Sequence, residues 1–413
     1  MSVLNLYPTV RPTLSFDFVN AGVLDPSVTF TRTTNATYFD ETGILRVANP
    51  NTPRFDFNPS TLAAQGLLIE ESRTNSIRNN TMVGAAAGTP GTAPTNWSVT
   101  GTANGLTRTV VGTGTENGIT YVDVRYAGTA TANSFIQVIF EAINNIAAAS
   151  GQSWTSSVYM KIAAGSAANI NAFEHQVIGY TSGGAVSENT NTPPTLTTSL
   201  TRFLSSRTLN NATTAFIASS IAFSFSNGAA IDITLRIGLP QLEQGAFATS
   251  VIPTTTTALT RSADVASVNT LSPWFNSASG TLYAEAVGVV PTSVSFVAQF
   301  NDLTTSNFID GARYQTTLRT LVNTGGVNQS TLIPGTAAGA VNKTALAYAA
   351  NDIAMSANGA AALTDTSATI PTVTRLWLGD DGSGSPRYLN GYLRRITYYP
   401  VRLTNAQLQN LTA

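Results

Sequence analysis

The feature that most constrains this chain is two-residue alternation of apolar and polar side chains, recurring in short runs along its length. Residues 121–126 (YVDVRY), 135–140 (FIQVIF), 154–162 (WTSSVYMKI), 221–225 (IAFSF) and 231–237 (IDITLRI) carry it. Successive side chains of a strand point to opposite faces, so such runs suit half-buried strands and give a helix no apolar stripe. Turn residues separate them, which is the pattern of antiparallel sandwiches rather than of βαβ units. The alternation begins earlier, at 14–18 (LSFDF) and 28–32 (VTFTR). It returns at 280–287 (GTLYAEAV), 375–379 (RLWLG) and 392–399 (YLRRITYY). The expected fold class is therefore all-β.

At 413 residues the chain exceeds one ordinary core, so several domains are expected. Residues 81–95 are Gly, Ala, Thr and Pro apart from Met82 and Val83, and read as a linker. A second extended connection follows residue 252, where Pro253 forbids helix and a run of β-branched Thr favours extended backbone. These breaks give three parts: a small N-terminal β-module over 1–80, a sandwich over 96–254 and a second sandwich over 262–413. Within them, Asp40-Glu-Thr-Gly43 reads as a hairpin loop. Asn358-Gly359 is a hairpin signal because both positions favour positive φ. Residues 141–149 read as a short helical turn. Thr404 and Gln407 have capping-box spacing ahead of a short C-terminal helix.

Charged residues make up only 10% of the chain, against about 25% typically, so Thr, Ser, Asn and Gln must supply most of the polar surface. Such a surface is cheap to bury against neighbours, which suits an oligomer; the plainer reading is simply a low-charge soluble β-protein. The net charge is −1 with scattered Lys and Arg, which gives no footprint for nucleic acid. There is no Cys, which fits synthesis in a reducing cytoplasm. No run approaches the roughly 20 apolar residues of a membrane span, so no membrane insertion is expected. The opening residues 1–8 lack the basic and apolar regions of a secretory signal.

Four stretches carry a resemblance. Residues 30–75 read F-T-R-x-x-x-A-T-Y-x-D-x-x-G, then P-R-F-D-F, then G-L-L-I-E-E-S-R-T-N. This is similar to a leader at the front of bacteriophage structural and receptor-binding proteins. The stretch 240–254, P-Q-L-E-x-G-x-x-A-T-S-x-I-P-T, followed by T-R-x-A-D at 260–264, resembles the close of carbohydrate-binding-module-like jelly rolls of phage tail fibres. The order G-Q-x-W-T-x-S-x-Y-x-K at 151–161 resembles the same modules. Residues 389–409, L-N-G-Y-L-R-R-I-x-Y-Y-P-x-R-L-T-x-A-Q-L-Q, resemble the end of concanavalin-A-like lectin domains. The resemblance implies a virion protein: a fibre, spike or decoration component attached through residues 1–80. It also implies a jelly roll over 96–254, a concanavalin-like sandwich over 262–413, other virion proteins as partners and a homo-oligomer, with a trimer favoured. It allows a host-surface glycan as ligand, and no cofactor is expected.

In 154–161, Trp154, Val158 and Met160 share one side, and Tyr159 and Lys161 share the other. In 231–237 the aliphatics share one side, and Asp232, Thr234 and Arg236 the other. An outward face with a ring and charged hydrogen-bonding groups suits a sugar, so Tyr159, Lys161, Asp232 and Arg236 are the candidate carbohydrate-binding residues. An ordinary solvated face or a subunit contact is the plainer reading. Asp380 and Asp381 offer oxygen ligands for calcium, but beside Gly382 they also suit turn chemistry. No enzyme is expected. The strand at 280–287 offers only Glu285 rather than a carboxylate array, and a Ser-His-Asp triad would hang on His175, the single histidine. The alternatives are a purely architectural particle protein and, further off, a glycan depolymerase.

Overall fold

The computed structural model describes residues 7–100, 104–288, 294–314, 317–335, 341–384 and 387–413. The opening residues 1–6, read above for a secretory signal, lie outside the described residues, as does Ser385 at the end of the aspartate turn. The fold is all-β, built from antiparallel sheets, with one helix among the described residues. The chain divides into two units, Met1–Ser72 with Ser262–Ala413, and Arg73–Arg261.

This division corrects the expected separate module over 1–80. Strands of three to six residues cannot bury a face alone, and those of the leader find their partners far along the chain. Strand Leu14–Asp17 pairs with Gly391–Tyr399, Leu14 lying opposite Tyr398. Ala64–Ile69 pairs with the same strand, Leu67 opposite Leu393. Val28–Thr31 pairs with Val265–Val268. The leader thus completes a split sandwich of an eight-stranded and a seven-stranded sheet, whose core mixes Phe16, Leu67 and Ile69 with Leu282, Leu346 and Ile396. The leader motif and the Asp of T-R-x-A-D meet there as buried charge. Arg32 Nη1 donates to Asp264 Oδ1 at 2.9 Å, Arg54 donates to the other oxygen, and Arg54 Nη2 lies 2.8 Å from Glu70 Oε2. These motif residues therefore have a folding role within the sandwich.

Three local expectations in this unit hold. The loop at 40–43 joins paired strands Ala36–Phe39 and Leu45–Ala48, with Gly43 at φ +75°, and Asn358 and Gly359 both take positive φ. Helix Asn405–Thr412 carries the capping box: Thr404 accepts from the Gln407 backbone and the Gln407 side chain accepts in return. Leu408 packs on the back of the eight-stranded sheet with Tyr283, Tyr399 and Leu403.

The inserted unit is a jelly-roll sandwich. One sheet has five strands in the order Thr201–Thr208, Ser153–Ser166, Ala230–Gln244, Ile119–Thr129, Leu106–Glu116. The other has six: Val186–Thr192, Ala172–Thr181, Thr214–Phe225, Ser134–Ile139 and Ser98–Thr100, with Ile146–Ala147 also on Thr214–Phe225. The helical turn expected at 141–149 is instead a turn leading into Ile146–Ala147, whose residues pair with Ile217 and Phe216. Trp154, Val158, Met160, Val177, Ile217 and Ile233 fill the space between the sheets.

The segment 81–95, expected to be a linker, is a packed arm. Gly88 and Val110 exchange both backbone hydrogen bonds, at 2.9 and 3.0 Å. Composition misled here because small residues also permit close backbone approach: a Cβ on Gly91 would come within 2.7 Å of the Val110 Cβ. The sandwich accordingly begins at Arg73 rather than 96. Asn75 and Asn80 hold the I-P-T stretch through their side chains, Asn80 Oδ1 accepting from Thr254 N at 2.7 Å.

Candidate functional site

Strand alternation places the four sequence candidates on the outer face of the five-stranded sheet, opposite Trp154 and Ile233, but the structure does not leave them available. Tyr159 is only 6% exposed. After the last strand the chain folds back across this face. Thr249 N donates to Glu243 Oε2 at 3.0 Å, Ile252 N donates to Gln241 Oε1 at 2.7 Å, and Arg202 Nη2 bridges Ser157 Oγ and the Thr249 carbonyl, at 2.8 Å each. Outward-pointing Ser157, Gln241 and Glu243 are buried under this roof, and the Arg202 guanidinium lies 5.9 Å from the Tyr159 ring. The expected exposed ring is thus corrected to a roofed one.

Lys161 and Arg236 are direct cross-strand neighbours, as a shared surface requires. Both are committed to ion pairs. Lys161 Nζ lies 2.8 Å from Glu116 Oε2. Arg236 pairs with Glu116 and, at 2.7 Å, with Asp123 Oδ2, and its guanidinium sits 3.5 Å from the centre of the Tyr121 ring. Burial resists ionisation of Glu116, but hydrogen bonds from Lys161 and Arg236 outweigh it and hold the carboxyl below its usual range. Asp232 lies further along, in an exposed pair with Arg125 at 2.8 Å. The four candidates therefore do not converge on one open site.

The opposite outer face, on the six-stranded sheet, carries a constellation that the sequence reading did not single out. Gln137, Ser220, Gln176 and Asn191 come from four strands, and register sets Gln176 directly beside Ser220 and Asn191. Gln137 Nε2 donates to Gln176 Oε1 (2.6 Å) and Ser220 Oγ (2.9 Å). Gln176 Nε2 donates to Glu174 Oε2 (2.7 Å), and Asn189 Nδ2 to Asn191 Oδ1 (2.9 Å). The result is a side-chain hydrogen-bond ladder across the sheet with one formal charge, Glu174. Phe135 stands on the same face two residues from Gln137 and is 49% exposed. The other end of the face is apolar, with Ile139, Ile178 and Tyr180 packed against Ile143 and Phe216. The available signal was alternation itself: Phe135/Gln137, Glu174/Gln176 and Asn189/Asn191 are each two residues apart.

The remaining sequence candidates have ordinary partners. His175 is fully buried between the sheets. Its Nε2 lies 2.8 Å from Ser156 Oγ, its Nδ1 has no partner among the described residues, and burial pushes its pKa down to about 4. Glu285 accepts from Arg394 Nε at 2.9 Å and from the Tyr283 hydroxyl at 3.2 Å. Asp381 Oδ1 accepts from the backbone and hydroxyl of Ser383, while Asp380 Oδ1 accepts from Asp381 N. That is turn chemistry, and among the described residues no group of three or more His, Cys, Asp or Glu could hold a metal ion.

No family model matches this chain, and no curated protein matches it. Three solved structures are among those similar to it. The CBM40 module of the Ruminococcus gnavus IT-sialidase, bound to α2,3-sialyllactose, is 16% identical with a TM-score of 0.30, over 33% of this chain and 84% of that one. The CBM22-1 xylan-binding domain of Paenibacillus barcinonensis Xyn10C is 13% identical with a TM-score of 0.23, over 42% and 94%. The Trypanosoma rangeli sialidase in complex with sialic acid is 10% identical with a TM-score of 0.27, over 89% and 74%. Likeness at these scores carries no argument about what this chain does.

Proposed function

We propose that the inserted sandwich binds a glycan on the outer face of its six-stranded sheet, and that the chain is a non-enzymatic structural component of a virion which presents that face to a host surface. The carrying observation is the Gln137–Gln176–Glu174 ladder beside the exposed Phe135 ring. A sugar offers hydroxyls that both donate and accept, plus a C–H side that stacks on a ring. Carboxamides meet the hydroxyls with a donor and an acceptor in one plane. Because the ladder already fixes these side chains, less rotamer entropy is lost on binding. The virion setting is supported by the sequence resemblances alone, most specifically the one at 30–75, and a homotrimer belongs to the same reading.

The test is a glycan array probed with the full chain and with Gln176→Ala. Binding by the full chain, weakened about tenfold by the substitution, is the expected result. The architectural reading has the same ladder as its ground: a planar polar face equally suits a subunit. It would replace the first if no glycan bound and Gln176→Ala instead dissociated the oligomer in light scattering.

A further inference from the structure

Phe135 faces outward; its neighbour Ile136 faces the opposite way, toward a cleft of about 380 Å³ at the edge of the inserted sandwich. Its apolar walls include Val99 and Ile136 from the six-stranded sheet, Leu106 from the five-stranded sheet and Pro90 from the packed arm. Four polar side chains complete it: Thr89, Thr107, Arg108 and Tyr126. Arg108 and Tyr126 are direct cross-strand partners, so they project from the same side of their sheet, and Tyr126 is a core residue only 1% exposed. Arg108 is therefore a cation on the inward side of an edge strand.

Both groups have unused hydrogen-bonding capacity. Arg108 Nε donates to the Pro90 carbonyl at 3.1 Å and Nη2 to the Gly91 carbonyl at 3.2 Å, while Nη1 makes no bond among the described residues. The Tyr126 ring packs edge-on against Phe223 at 5.2 Å, yet its hydroxyl has no partner among the described residues. Buried polar groups are rarely left so, and each exception calls for an explanation. A largely apolar concavity with a few convergent polar groups is the usual form of a small-molecule site.

We propose that this cleft binds a small amphipathic carboxylate: a hydrocarbon body against Val99, Leu106, Ile136 and Pro90, with its carboxylate accepting from Arg108 Nη1 and the Tyr126 hydroxyl. One cation and one hydroxyl match the two oxygens of a carboxylate and its single charge. The site is separate from the amide ladder and stands whether or not that face binds a glycan.

The experiment is calorimetric titration of the full chain with octanoate as probe, and with octanol and acetate, which lack the carboxylate and the chain respectively. Octanoate binds, and the other two bind at least about tenfold more weakly. Arg108→Gln weakens octanoate about tenfold and leaves octanol unchanged. Tyr126→Phe, which removes only the unpartnered hydroxyl, weakens octanoate while ligand-free thermal unfolding stays at the wild-type temperature. Should Arg108→Gln fail to fold, Tyr126→Phe decides alone. No heat from octanoate up to millimolar concentration, octanol binding as tightly as octanoate, or unchanged octanoate affinity in the folded variants would overturn the assignment.

Discussion

The two outer faces of the inserted sandwich start from the same strand alternation and end differently. On the five-stranded sheet, the outward set is crossed by the chain as it leaves Ala230–Gln244, and its charges close on each other in the Glu116–Lys161–Arg236–Asp123 network. On the six-stranded sheet, the outward set is neutral apart from Glu174, and Phe135, Asn189 and Asn191 remain exposed. Alternation decides which side a residue takes. What covers that side depends on where the chain goes after the strand ends. The chemistry differs too: a ligand on the first face must compete with ion pairs, whereas on the second it meets hydrogen bonds that are neutral apart from Glu174, four of them held by the buried Gln176 (to Gln137, Ser220, Glu174 and Asn191), with the more exposed Asn189 and Asn191 beside it.

The largest test of this contrast is Tyr159→Ala. A solvated tyrosine would tolerate the change within about ±0.5 kcal/mol. Under the roof it should cost roughly 3–5 kcal/mol, the range for truncating a buried aromatic, measured by denaturant unfolding. A near-neutral result would mean that the segment 245–254 does not cover the sheet in solution.

Acid should separate the faces next. His175 points inward from the strand that carries Glu174 and Gln176 outward, and it is held neutral with a pKa near 4 by burial, against 6.5 ordinarily. The unfolded chain therefore takes up a proton below about pH 6.5 that the folded sandwich refuses until about pH 4. Stability is lost across that window as pH falls, by roughly 3 kcal/mol in all. Glu116 has its folded pKa lowered, so its contribution is present above the carboxylate range and fades only at lower pH. Unfolding midpoints measured from pH 7 to 4 should fall in the wild type and flatten in His175→Gln.

Salt gives a smaller effect with opposite allegiance. Arg236→Gln removes a partner from Glu116 and Asp123, all partly exposed, so the cost should be about 1 kcal/mol or less and shrink as salt rises. Substitutions in the amide ladder should show no such salt dependence. Equal salt sensitivity in Gln176→Ala would place unnoticed charge on that face.

Much of this was legible in the sequence. Residues 121–126 and 231–237 lie inside strands Ile119–Thr129 and Ala230–Gln244, and the inward set Trp154, Val158 and Met160 is in the core. The Thr404 cap and the Asn358-Gly359 turn are local signals and appear where local chemistry puts them. What was not legible is pairing over distance. Nothing in residues 14–17 states that their partner is at 395–398, so the leader read as a module of its own. The amide ladder was hidden for a related reason. Gln137, Gln176 and Asn191 each look like ordinary solvated strand residues, and only the register brings them together.

The smallest expected change in stability carries the sharpest test of the glycan face. Phe135 and Leu204 are both large apolar side chains about half exposed, at 49% and 51%, and they lie on different sheets of the same sandwich. Replacing either with Ala should move stability by no more than about 0.5 kcal/mol, because neither fills a core. Loss of a stacking ring beyond its buried area is worth about 0.5–1.5 kcal/mol, so Phe135→Ala should weaken glycan binding by about two- to tenfold. Leu204→Ala should leave it unchanged. Measuring both affinities on one ligand with matched unfolding curves removes stability as an explanation. If Leu204→Ala weakened binding and Phe135→Ala did not, the glycan would sit on the five-stranded sheet, and the roles of the two faces would be reversed.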